Sequence, residues 1–185
     1  MELAIGQARA VFNALVGLLP EKETEFRERL DQLEAEFGDL HGRLSAVADR
    51  IGHQPVLFSH PVYQYLMQGY GLNGRSLHWE PQELPAEEQW SELDRLLKAH
   101  AAAWMIWEDE PRPDVVSRLQ ELGIRSLVFR PCGNRPATGD FLNAMVENLV
   151  ALERAFPPST TARVTDVRCA GGTPEFGSAR KWCGD

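Results

Sequence analysis

The chain has 185 residues with 27 acidic and 19 basic side chains, a formal net charge of -8, and 43% hydrophobic residues. That composition, with charged residues at 25% and no low-complexity tract, excludes disordered, collagen-like and purely coiled-coil classes. Lys and Arg are not clustered along the body of the chain, which speaks against a binder of nucleic-acid backbone. An acidic surface suits a cationic ligand, although ordinary solubility asks for the same and is the simpler reading.

No stretch approaches the roughly 20 consecutive apolar residues needed to cross a bilayer, so direct membrane insertion is not expected. The start, Met1 to Gln7, has neither a basic region nor a small-residue cleavage site. A secretory signal is therefore not expected in this chain, which leaves a cytoplasmic protein or one numbered after processing. The three cysteines, Cys132, Cys169 and Cys183, form no C-x-x-C pair, which disfavours a zinc ribbon or thioredoxin-type site. In an oxidising compartment Cys169 and Cys183 would bridge; otherwise all three are free thiols.

Residues 1–51 read as helical. Ala8, Val11, Phe12, Leu15 and Leu19 suggest one apolar face before Pro20 ends or kinks the run. From Glu21 the pattern strengthens: Phe26, Leu30, Leu33, Phe37, Leu40, Leu44, Val47 and Ile51 follow alternating steps of four and three, with charges such as Glu28, Glu34 and Arg43 between them. This predicts a long helix leaning on a domain rather than a dimeric coiled coil, because the repeat lasts only about four heptads. His41 lies off the seam and reads as a surface residue.

After Gly52 strands and helices alternate. Val56–Phe58 is a short buried strand ending at Ser59-His60-Pro61, followed by a helix through Tyr63, Leu66, Met67 and Tyr70. Ser76–Trp79 reads as a weaker strand, and Trp90, Leu93, Leu96 and Leu97 mark a helix. Ala103–Trp107 is a third strand ending at Glu108, Val115 to Leu122 a helix stopped by Gly123, and Ile124–Phe129 a fourth strand. Phe141 to Leu152 forms the last amphipathic helix, and Pro157-Pro158 closes it. The expected fold class is α/β: a small, open, mainly parallel four-stranded sheet flanked by helices over 52–156, preceded by the long helix of 1–51. The remainder, 157–185, is rich in Gly, Ser, Thr and Pro and reads as a loosely ordered tail.

Ligands of open α/β sheets gather beyond the carboxyl ends of the strands. There the sequence offers His60, then His78 or Glu80, then Glu108 with Asp109 and Glu110, then Arg130. Imidazole and carboxylate together suit zinc or manganese. Other chemistries lack their signatures: the chain has no G-x-S-x-G elbow, no G-x-G-x-x-G after a strand and no Walker loop. Ser59 and His60 are strand neighbours pointing to opposite faces, so they do not make a nucleophile and base. The five tryptophans read as core or partner surface rather than a stacking platform.

Phe58-Ser59-His60-Pro61-Val62-Tyr63-Gln64-Tyr65-Leu66, continuing to Gly69-Tyr70-Gly71-Leu72, resembles the segment opening the carboxyl-terminal lobe of the zinc and manganese receptors of ABC importers. Leu18-Leu19-Pro20-Glu21 is similar to the turn before their long interlobe helix, Met105-Ile106-Trp107-Glu108 to a strand end, and Gly139 to Leu149 to the final helix. The matches are collinear. The resemblance implies a periplasmic or extracytoplasmic metal-receptor lobe, with the cation held between two lobes and an ABC permease as partner. It places His60 on the family's carboxyl-lobe histidine ligand and Glu108 on an acidic supporting position. It also marks two departures. The amino-terminal lobe with two further histidines is not among these residues, and Arg130 stands where the family carries a ligand aspartate. A guanidinium has no lone pair for a cation and is expected to pair with Glu108 instead.

Two functions follow. One is a zinc- or manganese-binding component of an ABC uptake system, truncated or degenerate. The other is a non-catalytic interaction module that kept the fold and lost the metal, with a homodimer as the expected assembly. An enzyme is not expected, since no nucleophile or third metal ligand is evident.

Overall fold

The computed structural model describes residues 1–133, 135–136 and 138–158; Cys169, Trp182, Cys183 and most of the expected tail lie outside the described residues. Helix α1 (Glu2–Leu18) leads through a 3₁₀ turn, Pro20–Lys22, into α2 (Glu23–Ile51), 29 residues long. Pro20 sits at the first position of that turn, where its missing N–H costs nothing. The seam read from the sequence is the buried face of α2: Leu30, Phe37, Leu40, Leu44, Val47 and Ile51 are buried, and Gly52 ends the helix with φ at 56°.

The apolar face assigned to α1 packs only in part, through Ala8 and Phe12. Phe12 alone is buried in α1, with Ala4, Ile5, Ala8 and Val16 half-buried along its stripe, while Val11, Leu15, Leu18 and Leu19 are exposed. The reason is the i, i+4 row: α1 lies along α2 on the row 4–8–12–16, and a helix this apolar has more hydrophobic side chains than one contact face can take.

Beyond Gly52, β1 (Val56–Phe58), α3 (Gln64–Tyr70), β2 (Gly74–Ser76), α4 (Glu87–Ala99), β3 (Trp104–Trp107), α5 (Pro113–Glu121), β4 (Arg125–Val128) and α6 (Phe141–Ala155) alternate. All pairings are parallel, in the order β2-β1-β3-β4. The second strand starts two residues earlier than the sequence indicates, at Gly74. The position is a close approach: a Cβ on Gly74 would stand 2.5 Å from Met67 Sδ and from a Phe58 ring carbon. Leu77 and Trp79 carry the ladder on, donating to the carbonyls of Phe58 and Ser59 at 2.9 and 2.8 Å.

Strand alternation divides the core. Val56, Phe58, Ile106, Leu127 and Phe129 pack against α2 and α6, while Leu57, Met105 and Trp107 pack with Trp79, Trp90 and Leu93 under α4 and α5. Trp79 stacks edge-on against Trp90, ring centroids 4.7 Å apart, so these tryptophans are core. No helix among the described residues is long and apolar enough to cross a membrane.

Candidate metal centre

The strand order makes β1 and β3 the neighbours at which the winding reverses, the place where open α/β sheets hold ligands. His60 lies just past β1. Ser59 still belongs to the ladder, its N–H on the Ile106 carbonyl at 2.9 Å, and Pro61 then turns the chain away. Alternation sends Ser59 into the core, where it is fully buried, and leaves His60 half-exposed at the rim. His60 Nδ1 is buried without a hydrogen-bond partner among the described residues, as are Ser59 Oγ and Trp79 Nε1. The other ring nitrogen, Nε2, faces Glu80 Oε1 at 3.4 Å.

Glu80 and His78 reach this point from the segment extending β2. Leu77 and Trp79 are buried and His78 and Glu80 exposed, the in-out alternation of an extended chain. The His78 ring stands edge-on to His60, centroids 5.7 Å apart. Gln89 donates to the His78 carbonyl at 3.0 Å and steadies the segment from α4.

Glu108, at the end of β3, is half-buried. Its charge acts on Tyr63: burial first, and then Glu108, hold the phenol pKa far above its ordinary value. Tyr63 remains a donor at any working pH, and its O–H donates to the Phe129 carbonyl at 2.7 Å. Arg130 does not pair with Glu108, contrary to expectation. Its Nε donates to Asp109 Oδ1 and its Nη2 to Glu110 Oε1, each at 3.2 Å. The cause is position: Glu108 is withdrawn beside Tyr63, whereas Asp109 and Glu110 lie on the exposed loop that a half-exposed guanidinium sweeps.

One partner of the rim escaped the sequence reading. Asn148, buried on α6, accepts from the Arg130 N–H at 2.8 Å and donates to the Arg130 carbonyl at 2.7 Å, standing in for a fifth strand. An Asn on the apolar stripe of Met145, Leu149 and Leu152 is the signal that marks it. His41 is likewise no plain surface residue, since its Nδ1 lies 2.9 Å from the Tyr70 hydroxyl. Cys132, beyond Arg130, has a thiol pushed up by burial, with Arg130 pulling it back less.

The rim thus holds His60, Glu80 and His78 on one side and the closed set of Arg130, Asp109 and Glu110 on the other, with Glu108 between. Among the described residues no three His, Cys, Asp or Glu side chains already stand as a ready metal cage. The donor types present, imidazole nitrogen and carboxylate oxygen, fit a borderline divalent cation.

Comparison with solved structures identifies the class of fold. The chain is similar to the metal-dependent lipoprotein YcdH from Bacillus subtilis, with a TM-score of 0.73 at 19% identity over 83% of this chain and 61% of that one. It is similar to the Zn(II)-bound ZnuA-like domain of Streptococcus pneumoniae AdcA, with a TM-score of 0.66 at 20% identity over 79% and 57% of the two chains. The laminin-binding protein Lbp of Streptococcus pyogenes gives a TM-score of 0.62 at 17% identity over 79% and 59%. The chain therefore spans about 61% of the YcdH chain and less of the other two. No curated protein matches it significantly in sequence. The family model described as zinc-uptake complex component A, periplasmic, matches residues 1–155, and the chain belongs to that family. The family is one of binding components rather than enzymes.

Proposed function

We propose that this chain is a divalent-metal-binding lobe of an ABC uptake system, with zinc as its first cargo and manganese as the alternative, acting outside the cytoplasmic membrane against an ABC permease. The observation that carries the reading is the placement of His60: a half-exposed imidazole at the strand reversal, with Nε2 turned to a carboxylate. Family membership and the Zn(II)-bound relatives support zinc. His60 supplies nitrogen to the cation and Glu108, one strand over, adds negative potential. The site departs from the family pattern at Arg130, whose charge Asp109 and Glu110 offset but which gives the cation nothing to bind. Binding is accordingly weaker than a four-ligand site would give.

The test is metal content after separate loading with zinc and manganese, for wild type and His60→Ala. Stoichiometric zinc in the wild type and its loss in the variant are expected; equal, substoichiometric metal in both would sink the reading.

A second reading, an assembly module, is favoured by the exposed side chains of Leu3, Val11, Leu15 and Leu18 on α1. On that reading the chain is a homodimer joined through α1. Sedimentation as a monomer at all concentrations would remove it.

A further inference from the structure

The contact between His60 Nε2 and Glu80 Oε1 is too long for a good hydrogen bond, since N–H···O distances run to about 3.2 Å, and here the atoms are 3.4 Å apart. Two donors on one tetrahedral cation behave differently. With metal–ligand bonds of about 2.0–2.2 Å and a tetrahedral angle between them, the donors stand about 3.4 Å apart. The ring offers one usable nitrogen, because Nδ1 is enclosed and Nε2 faces the rim. His78 is carried two residues before Glu80 on the same extended segment and so shares its side of the chain. Trp79 between them is buried, and its N–H on the Ser59 carbonyl at 2.8 Å ties both donors to the strand that carries His60.

We propose that Glu80 is a direct ligand of the divalent cation together with His60, and that His78 supplies the third donor by turning its exposed side chain. The inference rests on the metal-binding reading above and deepens it. The lobe then holds a nitrogen-nitrogen-oxygen set on β1 and the β2 extension, with further positions of the cation open to water or an incoming group. The strand ends that carry Arg130 take no part. A departure at Arg130 is in this way offset by donors from the opposite side of the rim.

The test uses the full chain, zinc titrated against a chromophoric chelator, and cobalt(II) as a spectroscopic probe of the same site. Glu80→Gln and His78→Gln are each expected to weaken zinc by at least about tenfold, and to alter the visible cobalt bands, while the control Glu28→Gln, on the exposed face of α2, stays within about twofold. All three positions lie outside the fully buried core, and unchanged circular dichroism separates ligand loss from unfolding. Zinc retained at wild-type affinity by Glu80→Gln but lost by His60→Ala would overturn the inference and leave the metal-binding reading standing. No zinc bound by the wild type would overturn both. A His78→Gln variant that matches wild type while Glu80→Gln is weakened would remove His78 from the set.

Discussion

The two halves of one rim have been given opposite chemistry. At the ends of β1 and β2, His60 Nε2 faces Glu80 and the exposed His78 ring stands edge-on to His60, so their polar atoms are not spent on one another. At the ends of β3 and β4, Arg130 and its two carboxylates use their charges on one another, and Asn148 clamps the peptide beneath them. Both halves stand on the same parallel four-stranded sheet. The lesson is that strand-end position offers a place for chemistry but does not assign it. What assigns it is whether the polar groups arriving there satisfy one another. A guanidinium between two carboxylates is finished as a site; an imidazole 3.4 Å from a single carboxylate is not.

That contrast can be attacked from its most rigid point outward. Asn148→Leu deprives both the N–H and the carbonyl of Arg130 of their partner and should cost about 2–4 kcal/mol, read as a lower urea midpoint with unchanged slope; on the proposed ligand set, zinc affinity should hold. Tyr63→Phe leaves the Phe129 carbonyl unpaired in the core and should cost about 1–3 kcal/mol by the same measurement. Arg130→Asp converts the closed half into a donor, and zinc should bind about tenfold tighter by chelator competition, about 1.4 kcal/mol. No change there would mean that the two halves never meet around one ion.

The smallest effect concerns the support of the closed half. Arg43 on α2 forks onto Glu153 on α6 with two bonds of 3.1 Å, and this pairing holds the Glu153 carboxyl below its ordinary range. A depressed carboxylate pKa adds stability that is present above the unfolded pKa and lost as pH falls through the folded one. Glu153→Gln should therefore cost less than about 1 kcal/mol at neutral pH, the pair being partly exposed. The stability curves of variant and wild type should converge in acid.

Much of the frame was legible in the sequence because it rests on periodicity. The seam of α2, the alternation of strand and helix, and the stop at Gly123 with φ at 80° follow from local rules that tertiary packing did not override. The face of α1 was legible only in part: Val11 and Leu15 look as apolar as Phe12, and which row packs depends on the crossing with α2. The start of β2 at Gly74 was hidden because a glycine chosen for closeness to Phe58 and Met67 looks like a turn residue. At the rim, His60, Glu80, Glu108 and Arg130 could all be named from strand ends. Their pairings could not, since Asp109 and Glu110 differ from Glu108 only in which way a three-residue acidic run turns. Asn148 showed the converse: one polar residue on an apolar stripe held the information, in a helix 18 positions from the residue it serves.

Strand β1 is three residues long, and Ser59 and His60 follow it on opposite sides. The molecule's chemistry is therefore written in a two-letter frame. Adding or deleting one residue between Val56 and Ser59 would leave the helices untouched yet exchange the two side chains, driving an imidazole under the tryptophans and presenting a hydroxyl at the rim. Such a protein would keep its outline and lose the imidazole from its rim, which makes the spacing of this short strand as much a part of the proposed site as His60 itself.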